Sequence, residues 1–143
     1  MKSTRWTAIA LLAFLAMSGF AGSLPMIAHA DGNPLGMAQS LLQYSPFHSF
    51  LIPGILLLAS SGVLTVWVLW QAAWERRDYG WWTAFQGSVL LVWLVTECFM
   101  LRLVIWAHYL YGAVAVGLIL AGLALRREPN LCGQEDGKRS PRG

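Results

Sequence analysis

Charge is what this sequence has least of. Only 12% of its residues are Asp, Glu, Lys or Arg, against ~25% in soluble globular domains, while 57% are hydrophobic. Apart from Asp31, Glu97 and Arg102, the few charges are bunched near the N-terminus, between Glu75 and Asp78, and beyond Leu125. A soluble core of 143 residues cannot bury the apolar runs left between them, so lipid is the expected solvent. Cysteine is as sparse, with Cys98 and Cys132 only. In the topology derived below they fall on opposite sides of the membrane midplane, which excludes an intrachain disulfide. No C-x-x-C occurs, so thiol–disulfide exchange is disfavoured, and Cys132 reads as a plain tail cysteine ahead of an acylation site. G-x-x-x-x-G-K-[ST], H-E-x-x-H and G-x-S-x-G are missing too. Nucleotide, zinc-peptidase and hydrolase chemistry therefore lack support, and neither enzyme activity nor a cofactor is expected.

What is there is long apolar runs. The first, residues 6–28, follows Lys2 and Arg5. Ala28-His29-Ala30 is an A-x-A triplet, so cleavage of a signal peptide after Ala30 is one reading. Residues 6–24 alone are 19 long, more than a signal-peptide core needs and enough to span ~30 Å of hydrocarbon. Retention as a first transmembrane helix is the other reading and the one preferred. Residues 31–43 are a polar connection with Gly32, Asn33, Pro34 and Gly36 as turn formers, and 37–42 suit a short surface helix. A second span is expected over about 46–71, with Ser45 as N-cap, Pro46 in the first helical position and a kink at Pro53. Gly54, Ser61 and Thr65 share one of its faces, which suits close helix contact. Trp67, Trp70, Trp74, Trp81 and Trp82 flank the next polar connection as an aromatic belt. The third span covers about 82–102 and the fourth about 106–125, where Ala113, Gly117 and Ala121 recur every four residues as a small-residue stripe.

The expected fold is thus an all-α, up-down-up-down bundle of four transmembrane helices in residues 1–125. Residues 126–143 are too polar to bury a core and read as a disordered cytoplasmic tail. Of the ten basic residues, only Arg102 lies on the side opposite the termini and the Glu75–Asp78 connection. The positive-inside rule then places both termini in the cytoplasm and the chain in the inner (plasma) membrane as a multi-pass protein. The net charge of +3 is membrane-orienting and gives no nucleic-acid footprint.

The lead-in to the second span, Ser45-Pro46-Phe47-His48-Ser49-Phe50-Leu51-Ile52-Pro53-Gly54, resembles a group of small bacterial integral membrane proteins of four helices. The likeness extends to Asp31-Gly32 and Leu35-Gly36-Met37, to Gln86-Gly87, Trp93, Glu97 and Arg102, and to Leu110-Tyr111-Gly112. It covers most of residues 30–122 and implies a four-helix fold, a retained first span and a membrane location. It implies no activity and no functional residue. The A-x-A triplet and the charged tail depart from the pattern.

The one carboxylate inside an apolar run is Glu97. A charge near a span's centre costs about 2.5–3.5 kcal/mol on insertion scales, so such a residue calls for a reason. Glu97 lies outward of the span's middle by about 6 Å at helical rise. At 100° per residue it shares a face with Gln86 and Trp93, whereas Arg102 is displaced around the helix and is a poor partner. The functional reading is a proton or cation site in an outward-facing pocket; the bland one, given more weight, is a hydrogen bond that specifies helix packing. His29, His48 and His108 fall on the same outer side as Glu97 and Cys98, but no two have local ligand spacing, so no metal site is expected.

Two function classes follow. The first is an accessory or interaction subunit acting through helix–helix contacts, as a homo-oligomer or with another membrane protein. The second is a small transporter or channel subunit using Glu97. N-terminal sequencing of the mature chain decides the first span: a start at the initiator end supports four spans, and a start at Asp31 refutes them.

Overall fold

A computed structural model of the chain describes residues 2–30, 43–102 and 104–136, with side chains up to Arg127. Among these residues the fold is all-helical, with α1 (Lys2–Ala28), α2 (Leu51–Ala73), α3 (Tyr79–Leu101) and α4 (Trp106–Asp136). All four are long and apolar enough to cross a membrane, α4 over Trp106–Arg127; this is the make-up of a multi-pass membrane protein. The surface helix expected over 37–42 and the last residues of the tail, 137–143, lie outside the described residues.

The helices associate through glycine. A Cβ added at Gly19 of α1 would stand 2.5 Å from the Ser61 carbonyl oxygen of α2, and one at Gly54 would meet Met26 and Ile27. Between α3 and α4, Gly87 faces the Ala115 carbonyl and Ile119, while Gly122 sits against the backbone of Gly80 and Ala84. In both pairs residue numbers fall on one helix as they rise on the other, so each pair is an antiparallel hairpin. Such backbone approach is how helices associate where lipid removes the hydrophobic drive between them. The core the pairs enclose takes Leu12 and Leu15 from α1, Val68 from α2, Leu90 and Leu94 from α3, and Val114 and Leu118 from α4. Outward, Met17, Trp106 and Phe99 are 74–77% exposed, which suits a hydrocarbon surrounding and would not suit water.

The second span starts later than its sequence predicts. Pro46 is outside the helix, because the Phe47 amide donates to Ser45 Oγ (3.2 Å) in a local serine turn. Helix begins at Leu51, where the buried Phe50 supplies the cap position and the Gly54 amide donates to its carbonyl at 2.9 Å. Pro53 is then the third residue of the helix, where an amide would have no intrahelical acceptor, so it breaks nothing. The irregularity comes instead at Leu58–Val63, a π-helical turn in which the Leu64 amide reaches the Ala59 carbonyl, five residues back. The sequence there, Leu-Ala-Ser-Ser-Gly-Val, is weak in helix propensity.

On α4 the inward face is Val114, Ala115, Leu118, Ala121, Gly122 and Leu125. Of the stripe read from the sequence, Ala121 is on that face, Gly117 meets Leu11 of α1, and Ala113 is exposed. A strict four-residue repeat drifts about 40° per step around a 3.6-residue helix, so it cannot follow one neighbour. α4 also continues to Asp136, where composition predicts a disordered tail from Arg126. Extending a helix already nucleated in the bundle needs no new nucleus, unlike starting one in isolation.

At one end of the bundle Arg5 of α1 is ion-paired with Glu75 in the α2–α3 connection. There Arg76 lies over Trp70 and Arg126 over Trp81, 5.5 and 5.0 Å from the ring centres. At the other end α3 stops where Arg102 turns left-handed, with φ 48°.

The glycine contacts make an expectation. Gly19→Ala and Gly122→Ala each destabilise the bundle by roughly 1–3 kcal/mol through overpacking, read as a lower unfolding midpoint in detergent. Gly112→Ala, where an added Cβ meets nothing within 4 Å, leaves the midpoint unchanged or slightly raised.

Candidate functional site

Above the Gly19–Ser61 contact the four helices leave a cavity of about 330 Å³. Its α1 wall carries Ser18, Gly19 and Gly22, small residues that take little room. Ser61 of α2 and Leu90 of α3 close the lower side, Trp93 and Glu97 rise along α3, and Tyr111 contributes from α4. Tyr111 is held in place by stacking on Phe14 of α1, with ring centres 6.1 Å apart.

Glu97 therefore opens into a partly open space bordered by all four helices, with its side chain 33% exposed. Its charged-range neighbour is His108 at the start of α4, Nε2 to Oε2 3.9 Å. That gap is too long for a hydrogen bond. The other ring nitrogen, Nδ1, accepts the Ile105 amide at 3.2 Å. With Nδ1 engaged, Nε2 is the ring nitrogen left facing Glu97. Nε2 makes no hydrogen bond, and among the described residues none donates to the Glu97 carboxylate. Local ligand spacing in the sequence does not link His108 to Glu97. The signal was available: in a tight α3–α4 hairpin, residues similarly far from the turn end up opposite each other.

Of the other residues singled out, Trp93 lines the cavity and Gln86 does not. Gln86 is fully buried one turn below Leu90, where its Nε2 donates to the Ser60 carbonyl at 3.0 Å. A switch from four- to five-residue bonding leaves a carbonyl short of a backbone donor, and Ser60 accepts from Gln86 and from Thr65 Oγ1 (3.5 Å). No sequence pattern announces such a π-turn, so this partner could not be foreseen. Gln86 Oε1 has no partner. Arg102 points its guanidinium at the Tyr44 ring, 4.4 Å from its centre, and takes no part in the cavity. Gly54 and Thr65 are buried at helix contacts, and Ser61, a residue of the cavity wall, has an unpartnered Oγ that is buried away from the cavity. Of the lead-in motif, Ser45, Phe47 and His48 form the turn ahead of α2, while Phe50, Pro53 and Gly54 bury its start, Gly54 against the end of α1. His29 and His48 are exposed, and among the described residues no three His, Cys, Asp or Glu side chains gather to hold a metal.

No family model matches the chain, and no curated protein or solved structure is similar to it.

The Gln86 bond yields a prediction that depends on magnitude. Interhelical hydrogen bonds in membranes average about 0.6 kcal/mol, and Gln86→Met also removes the unpartnered Oε1. The net cost is expected below ~1 kcal/mol, smaller than for Gly19→Ala, when unfolding midpoints in detergent are compared.

Proposed function

We propose that the protein is a multi-pass plasma-membrane protein that receives a small ligand or cation between its helices, as a transporter or channel subunit with Glu97 at its binding point. The observation that supports this is the cavity itself, bounded by all four helices and holding the one carboxylate of the spans. A carboxylate kept at an intramembrane position against its insertion cost is commonly tied to an ion or proton pathway. With both termini cytoplasmic, as the distribution of basic residues favours, the cavity faces the outer half of the membrane in an up-down-up-down bundle that retains α1.

An accessory role through helix–helix contacts without enzymatic activity was the stronger reading of the residues alone. The outward apolar faces, such as Val92, Val95 and Phe99 on α3, fit lipid and a second membrane protein equally well, whereas a carboxylate on the wall of an interhelical cavity favours ligand handling. Four spans make a narrow bundle, so transport would use an oligomer of this chain or a companion subunit.

The test is flux in vesicles holding the purified protein under an imposed pH gradient. Wild type is expected to carry a proton-linked flux that Glu97→Gln abolishes while the oligomer, followed by size-exclusion chromatography, is unchanged. Equal flux from the two proteins would remove the transport reading.

A further inference from the structure

The unfilled hydrogen-bonding capacity of the cavity says what kind of ligand completes it. An ionised carboxylate accepts at about four lone-pair sites and donates none. Glu97 receives no hydrogen bond from the described residues, although its side chain stands on the cavity wall and is 33% exposed. A ligand in this cavity that brings hydrogen-bond donors would fill that unused acceptor capacity.

Charge narrows the choice further. The α1 and α2 residues around the cavity carry no ionisable side chain, and α4 brings only His108 and Tyr111 near Glu97. His108 Nδ1 is taken by the Ile105 amide. On α3 itself Arg102 is engaged with Tyr44. Among the described residues no Lys or Arg therefore pairs with Glu97 from within the site. The remaining walls are apolar and aromatic, and include Trp93 and Tyr111, whose rings are of the kind that attract a positive charge. The volume of about 330 Å³ is roughly twice that of an apolar cavity known to take one benzene ring. A sugar, nucleotide or polyanion has far more polar groups than this lining could satisfy.

We propose that the cavity binds a small lipophilic amine in its ammonium form, one or two rings in size, with Glu97 as its counter-ion. Trp93 and Tyr111 flank the bound molecule. The inference rests on the ligand-handling reading above and specifies its substrate class. An amine of this kind partitions into the bilayer and reaches the cavity from the lipid.

The test compares 2-phenylethylamine with propylbenzene, its uncharged isostere, by calorimetric titration of the full chain in lipid nanodiscs. Wild type is expected to bind the amine at least tenfold more tightly than propylbenzene, the worth of one charge-assisted hydrogen bond. Glu97→Gln should erase that preference, and Glu97→Asp, which keeps the charge, should retain part of it. Gly22→Phe fills the cavity and should lose both probes; helix content by circular dichroism verifies that each variant is folded. Propylbenzene binding as tightly as the amine would overturn the amine assignment while leaving a ligand cavity in place. A preference that persists in Glu97→Gln would also overturn it, because the counter-ion would lie elsewhere. Binding of neither probe to wild type would overturn both the amine assignment and the cavity reading on which it rests.

Discussion

The structure depends on one contact, the seating of Gly19 against the Ser61–Gly62 backbone. Nothing larger than hydrogen fits on α1 at that point. The contact falls within the π-turn of α2, whose altered bonding frees the Ser60 carbonyl for Gln86 of α3. Three helices are thus tied together at one level by a close backbone approach and one interhelical hydrogen bond. In a bilayer, where apolar side chains gain nothing by leaving lipid for each other, shape and hydrogen bonding of this kind carry much of the association.

The cavity follows from the same contact. Below it Leu12, Leu15, Val68, Leu90 and Leu118 fill the bundle. Above it the small α1 residues Ser18 and Gly22 leave space that Trp93 and Tyr111 border without closing. Glu97 occupies that space at the end of the bundle where α3 turns into α4, with His108 Nε2 3.9 Å from its carboxylate. A carboxylate so placed retains unused acceptor capacity. The cost of keeping it in a membrane helix, about 2.5–3.5 kcal/mol at a span's centre, is only partly relieved within the protein, and the ammonium site proposed for the cavity would relieve the rest.

Much of the architecture was legible in the residues because lipid imposes a simple demand: some twenty apolar residues per helix, with charges outside. The ends of helices were less legible. Ser45-Pro46 reads as a helix start, but the same serine serves equally well in a turn, and only the docking of Phe50 and Gly54 shows which use prevails. Glu97 and Trp93 could be placed on one face by helical arithmetic, and both line the cavity. Gln86 sits on that face too, but its partner is a backbone carbonyl released by a π-turn, which no side-chain pattern encodes. The Ala113-Gly117-Ala121 repeat misled for a geometric reason, since a four-residue step winds off the contact that Val114, Leu118, Ala121 and Leu125 keep.

The central claim is that the interhelical space beside Glu97 is a ligand site and not merely a packing gap. It is tested most directly by a structure of the full chain in lipid with 4-bromophenethylamine, located by the anomalous signal of bromine. The account predicts one bromine peak within the cavity, bordered by Trp93 and Tyr111, with the ammonium group against Glu97. Bromine found only on the lipid-facing surfaces, with the cavity empty, would contradict it.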